Sequence, residues 1–586
     1  MLSVDTIITR IRALARLVRM SVTSFARGVL RRPAGDPISL VHTIADLRPA
    51  HAPEARRYYS GVFDFAGHSV EAGGTSAFRL RDQPEAWLAG LHSFRWLRHI
   101  GAKSNKLFRS HAMTMVNDWV EMHEGRGSDG TAQRPDIVAA RLLAWHAHLP
   151  ILLDKADETS HRRLLRSMSK QVVSITKPRG QQPLHRLQQA MAVLCHHVCI
   201  ADRPKAINNA LVVLNRELDR QILPDGGHIS RNPATLTDIL IDLLPLRDLM
   251  VKAGLSPGDT MTAAIDRMLV MVRFFLHSSR ELVQFNGTGN RHPENLAAIL
   301  RHAGTTDNTL NSAPFSGYER LARDKTVLVM DTGATQPAGS GDEFHGALSF
   351  ELSRRNTLFI MNCGQPQQNA DAYGRFSRAS AAHSTAIVDD QDATGRIDHG
   401  KAGIGGSSER RDLGDMSEIN ASHDGYLARY GIRHRRVVQM SKDGQIINGA
   451  DRFEHVDVRR PPIGDGEALA LRFHIPPDIG VSMLGNAHSV LLAGPAGAAF
   501  TFTCVDADLS LEESIDFSAN GGPRKCEQIV VRGYSARNPE IRWVIESKTQ
   551  RRAAKSRKAQ SDTADLLQLL TGGSEPDDVP GLNEGS

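Results

Sequence analysis

The chain has 586 residues, more than one hydrophobic core usually supports, so two large domains or three small ones are expected. Hydrophobic residues make up 41% and charged residues 23%, which fits a globular protein and excludes a multi-span membrane protein. The 71 Lys and Arg against 65 Asp and Glu leave a net charge of +6, which favours an anionic partner only weakly.

The first 35 residues carry Arg10, Arg12, Arg16, Arg19, Arg27, Arg31 and Arg32 among Ile, Leu and Val at helical spacing. This predicts a basic amphipathic helix. Its arginines interrupt every apolar run before a signal-peptide core or a bilayer span is reached, so no standard export signal is visible. Such a helix either makes peripheral contact with an anionic membrane or docks on its own domain.

From about residue 75 to 310, apolar residues recur at i, i+3, i+4 and i+7 in stretches such as "DIVAARLLAWHAHLPILLD", "HRLQQAMAVLCHHVCIA" and "ATLTDILIDLLPLRDLMVKAG". A spacing of roughly 35 to 45 residues per helix pair suggests a toroid or solenoid of helical hairpins. The five cysteines are scattered and odd in number, which argues against a disulfide framework. Cys195 and Cys199 of "CHHVC" share one helical face; a metal cluster would need a second ligand pair, and packing is the better reading.

After about residue 312 the pattern changes to short apolar or alternating runs bounded by Gly, Asp or Asn, among them "TVLVMDTG", "GALSFELS", "NTLFIMNCG", "STAIVDD", "HRRVVQMS" and "AFTFTCV". These predict a multi-stranded β-sandwich. The expected fold class is therefore α then β. A basic N-terminal segment spans 1–35, an α-helical (α/α) toroid 36–311 and an antiparallel β-sandwich 312–547. A polar, Gly- and Pro-containing tail over 548–586 is expected to be disordered.

A helical domain followed by a sandwich leaves a groove between them, where pockets tend to form. On the helical side, "LPDGGHISRNP" supplies Asp225, His228, Arg231 and Asn232. Arg can pair with a carboxylate in bidentate fashion, although a turn and N-cap would also account for the stretch. "FNGTGNRHPENL" supplies Asn286, Asn290, Arg291 and His292, with turn chemistry as the competing reading. On the sandwich side, His345, His383, His423, Tyr426, Tyr430 and His434 lie on or beside strand ends; one such histidine is usually packing, several together less so.

Taken in order, "DGGHISRNP", "SGYERLARDKTVLVMDTG", "HGALSFELSRRNTLFIMNCG", "SRASAAHSTAIVDD" and "HDGYLARYGIRHRRVVQMSKDGQIINGADRF" resemble the heparinase II/III-like family of bacterial polysaccharide lyases. The resemblance covers roughly residues 75 to 547 and is most specific from Gly317 to Phe453. It implies an (α/α) toroid and an antiparallel β-sandwich with an acidic polysaccharide in the cleft between them, and a cell-envelope or periplasmic setting. The implied reaction is β-elimination: a proton leaves C5 of a uronic acid and the oxygen on C4 departs. That chemistry needs a group to neutralise the carboxylate, a base and an acid.

Carried over motif by motif, the resemblance implies His228, His383 and Tyr426 as catalytic residues and Arg231, Asn232 and Asn286 as substrate binders. No cofactor is required; a zinc occurs in some members, for which His383, Asp398 and His423 are the candidates here. The chain departs from the family pattern after the helical motif, where Arg231 replaces an acidic residue and Thr235 and Leu236 replace a Tyr-His pair. The competing function is a non-catalytic glycan-binding or envelope polysaccharide assembly protein that keeps the fold. Nucleic-acid binding is disfavoured, because the basic ends lack interleaved aromatic residues and any recognised module. The oligomeric state is not legible.

Overall fold

A computed structural model describes residues 41–547, apart from 102–105, 124–129, 154–156, 181, 201, 203, 290–292, 305–308, 334–342, 367–369, 394–405, 458, 460 and 520–521. The expected basic N-terminal helix, the tail, Asn290, Arg291, His292 and the candidate ligand Asp398 all lie outside the described residues.

The periodic stretches of the first half fold as helices. Those predicted from "DIVAARLLAWHAHLPILLD", "HRLQQAMAVLCHHVCIA" and "ATLTDILIDLLPLRDLMVKAG" span Pro135–Leu153, Pro183–Cys199 and Pro233–Lys252, and the first and third each pack on the second. Proline opens all three, where its missing N–H breaks no helical bond. Their apolar faces meet in one core with Leu142, Leu194, Leu240 and Leu244 fully buried. Helix Pro135–Leu153 is long and apolar enough to cross a bilayer, yet most of it is buried inside this core. Cys195 and Cys199 are buried on one helical face with their sulfurs 3.9 Å apart. An antiparallel hairpin, Val62–Phe65 with His68–Glu71, interrupts the helical region and was not expected.

From Ser312 onward the chain is built of antiparallel strands in three sheets of eight, four and five strands. The five-stranded sheet is the joint of the molecule. Every residue of its strand Thr326–Asp331 is buried. Val327 and Val329 belong to the helical core, whereas Leu328 and Met330 belong to the sandwich core. Alternation along a strand sends neighbours to opposite faces, so one strand serves both cores, and its sequence reads as a continuous apolar run.

The structure thus has the fold class read from the sequence, helices followed by antiparallel sheets. Three strands of the eight-stranded sheet carried no visible signal: the polar Met416–His423 and the two edge strands, Gly406–Asp412 and Gly480–Met483. An edge strand with a polar outer face lacks the apolar alternation by which strands are recognised.

Candidate active site

The helical contribution to the seam is the loop between helices Pro204–Gln221 and Pro233–Lys252. Asp225 docks it on the first turn of the sandwich half, accepting hydrogen bonds from Ser316 N and Ser316 Oγ, both at 2.7 Å. Gly227 makes this approach possible, since a Cβ there would lie 1.9 Å from Ser316 Oγ.

His228 is buried beneath the loop. The Ser230 amide can only donate, so His228 Nδ1 is its acceptor at 3.0 Å, and Nε2–H points to Gln221 Oε1 at 3.1 Å. Burial lowers its pKa to about 4. With both ring nitrogens held by the loop's own frame, His228 locks the loop and presents no proton acceptor to the seam. The expected catalytic residue is thus one whose ring nitrogens are both engaged within the loop.

Arg231 adopts a left-handed backbone, φ +58°, that turns its side chain across the seam. Its Nε donates to Ser316 O at 2.8 Å and its Nη2 to Gly317 O at 3.1 Å, and it forms an ion pair with Asp331. The guanidinium also lies 5.0 Å from the centre of the Tyr318 ring, and the Tyr318 hydroxyl donates to Arg231 O. Arg231 is thus engaged as a strut between the two halves, not held out for a substrate carboxylate.

Asn286 joins the same knot, with Nδ2 donating to Tyr318 Oη at 2.6 Å and to Asp331 Oδ2 at 2.8 Å. Asn232 caps helix Pro233–Lys252: its Oδ1 accepts from Ala234 N at 2.9 Å and from Thr288 Oγ1 at 2.8 Å. Both the turn-and-cap reading and the nearness to the seam are therefore realised. Thr235 and Leu236 are buried in that helix.

On the sandwich side His383 follows a short 3-10 turn, Ser380–Ala382, and is buried. The Ala379 carbonyl can only accept, so His383 Nδ1 carries the proton toward it at 2.8 Å and Nε2 keeps its lone pair. Among the described residues no partner takes that lone pair. The ring lies against Gly346, where a Cβ would come within 2.4 Å of His383 Cδ2, and edge-on to Phe344 at 6.5 Å. Phe344 in turn covers Gly287, beside the Asn232 amide. Burial lowers the His383 pKa, partly offset by the Ala379 carbonyl and the Asp331 charge. His383, Asn232, Asn286 and Arg231 therefore gather around Asp331 and Phe344.

His423 and Tyr426 are placed elsewhere, inside the sandwich. Tyr426 is fully buried and its hydroxyl donates to Ala386 O at 2.9 Å, bracing the strand that follows His383. Burial raises its pKa. Tyr426, the expected acid or base, is a core residue of the sandwich.

His423 Nδ1 accepts from Gly425 N at 3.0 Å, and Nε2 faces His434 Nδ1 at 3.0 Å. It has no nitrogen left for a metal, so His423 does not fit the ligand role it would have for the possible zinc. Among the described residues no group of three His, Cys, Asp or Glu is arranged to hold one.

Sequence reasoning grouped His434 with His423 but missed Arg436 and Asp451. Strand Ile432–Ser441 buries alternate residues, and that inward row is Ile432, His434, Arg436, Val438 and Met440. The signal was available: a histidine and an arginine in the core phase of an apolar row must be paired.

A cavity of about 1090 Å³ also opens on the seam, lined by Arg273, Leu276, Gln284, Leu358, Pro477 and Asp516 among others. None of His228, His383, His423 or Tyr426 lines it, so the cavity is distinct from the cluster around His383.

The family model for the heparinase II/III-like C-terminal domain matches residues 305–544. The sandwich half of the chain is thus similar to the C-terminal domain of the heparinase II/III-like family. Three solved structures share the fold of this chain. Heparinase III has 14% identity and a TM-score of 0.67, with 88% of this chain and 86% of that chain covered. The heparinase III product BT4657 also has 14% identity, with a TM-score of 0.63 and coverage of 92% and 90%. A mutant of heparan sulfate lyase HepC from Pedobacter heparinus has 16% identity, a TM-score of 0.61 and coverage of 86% and 84%. FtsZ-localized protein C of Caulobacter vibrioides is 26% identical over 526 residues, covering 85% of this chain and 89% of that protein.

Proposed function

We propose that this heparinase II/III-like chain binds an acidic polysaccharide at the seam between its helical and sandwich halves without cleaving it. The observation that carries this reading is the engagement of Arg231 by Asp331. β-Elimination needs a carboxylate neutraliser, a base and an acid, and each must be free to act in the transition state. Arg231 is bound to Asp331 and two carbonyls, His228 to Ser230 and Gln221, and Tyr426 to Ala386 inside the core. His383 is the one member of the expected catalytic trio that keeps a ring lone pair which no described residue engages. Likeness to a protein named for localisation with FtsZ, not for cleavage, fits a binding role.

A lyase reading has its own support. His383 Nε2 keeps the lone pair that a base requires, and the fold is that of the heparinases. The two readings separate when purified protein is offered a panel of uronate-containing polymers, with calorimetric binding and ultraviolet absorbance of unsaturated uronate followed together. Binding without any absorbance rise is expected. An absorbance rise that disappears in His383→Ala overturns the binding-only reading and selects the lyase.

A further inference from the structure

The place where the family resemblance implies a metal ligand holds a different device. His423 and His434 are direct cross-strand neighbours, as are Arg436 and Asp451. All four side chains are buried, His434, Arg436 and Asp451 completely.

The direction of every hydrogen bond in this row is fixed from its two ends. At one end the Gly425 amide can only donate, so His423 Nδ1 is an acceptor and Nε2 must carry the proton. At the other end the Asp451 carboxylate can only accept, so His434 Nε2 carries a proton toward Asp451 Oδ1 at 2.7 Å. His434 Nδ1 is then the acceptor for His423 Nε2–H at 3.0 Å. Gly425 enforces the first step by close approach, since a Cβ there would lie 2.9 Å from His423 Nδ1.

Asp451 gathers the remaining donors. Arg436 Nε reaches Asp451 Oδ1 at 2.7 Å and Trp543 Nε1 reaches Oδ2 at 2.8 Å. Arg436 Nη1 then donates to Leu348 O at 2.8 Å and to Ser384 O at 2.9 Å. Those two carbonyls flank the contact between Gly346 and His383. The row therefore ends on the segment that carries the one open histidine of the cluster.

We infer that the buried relay His423, His434, Asp451 and Arg436 takes the place of a metal in this chain and braces the His383 segment through Arg436. His423 is a hydrogen-bond relay with no lone pair to give, and His434, Asp451 and Arg436 are positioning residues for His383. A buried charge with all of its partners satisfied holds its neighbours in one arrangement, and loss of one partner leaves the rest uncompensated. The inference is independent of whether the cleft binds or cleaves.

The test uses the full chain, metal analysis, and nitrogen NMR of histidine-labelled protein. The expected result is substoichiometric zinc, a thermal midpoint unmoved by chelator, and a protonated Nε2 with an unprotonated Nδ1 on both His423 and His434. Stoichiometric zinc whose removal lowers the midpoint, or a metal-shifted His423 resonance, overturns the inference. Bracing is read by amide hydrogen exchange in His434→Ala and, should that variant not fold, in Arg436→Lys. Exchange at Ser384, Thr385 and Ala386 should quicken on the order of tenfold while Val530 and Val531 in the four-stranded sheet keep their rates. Equal acceleration at both places would mean global destabilisation alone and would remove the bracing role.

Discussion

Arg231, on a helical-domain loop, is ion-paired with Asp331, at the end of the strand that serves both hydrophobic cores. The pair is nearly dry, with side-chain exposures of 11% and 5%. It joins the helical and sandwich halves of the molecule.

Removing one partner leaves the other charged and buried. Asp331→Ala should therefore lower folding stability by about 3–5 kcal/mol, measured by urea denaturation. Replacing both residues with apolar side chains of similar size should recover most of that loss. Equal losses in the single and double variants would show that the pair does not act as a unit.

His383 rests on a glycine because nothing larger fits. Gly346→Ala places a methyl group against the imidazole, 2.4 Å from Cδ2, and should cost about 1–3 kcal/mol through forced displacement. Polymer binding should fall further than stability does if the ring that moves is the one that meets the proposed ligand. Unchanged binding in a folded Gly346→Ala protein would separate His383 from the ligand.

His228 predicts an acid-sensitive fold. Its pKa falls from 6.5 to about 4 on folding, so between those values the unfolded chain binds more protons than the folded one. This contribution is fully present above about pH 6.5 and is lost as the pH falls toward 4; its size is on the order of 3 kcal/mol. Denaturation midpoints taken across that window should fall with acid, and less steeply in His228→Gln. A parallel fall in both proteins would assign the effect to other buried histidines.

Two histidines once grouped as candidates should part company on substitution. His383→Ala should weaken polymer binding on the order of tenfold, about 1.4 kcal/mol, in addition to the stability lost when a buried, hydrogen-bonded ring is removed. His423→Ala should destabilise the fold by about 1–3 kcal/mol, because it leaves Gly425 N and His434 Nδ1 without partners inside the sandwich. The comparison needs calorimetric binding and thermal unfolding on the same preparations.

The sequence by itself determined the elements and their order. Helical periodicity around Leu194 and Leu240, and short apolar runs such as "TVLVMD", are local patterns, and local patterns report which face of an element is buried. It also placed the motif residues on loops and strand ends, and the resemblance carried by those motifs named the family.

Only the tertiary structure decided what each polar group is bonded to. His228 and His383 look alike in sequence, each in a loop beside small residues and hydroxyls. In the fold, one has both nitrogens held by Ser230 and Gln221, and the other keeps a lone pair beside Phe344. Arg231 meets Asp331 a hundred positions away, and His423 meets Asp451 through His434 across three strands. A hydrogen bond depends on distance and direction between groups far apart in the chain, and no local spacing records them; hence the fold was legible in advance, and the roles of His228, Arg231, His423 and Tyr426 were not.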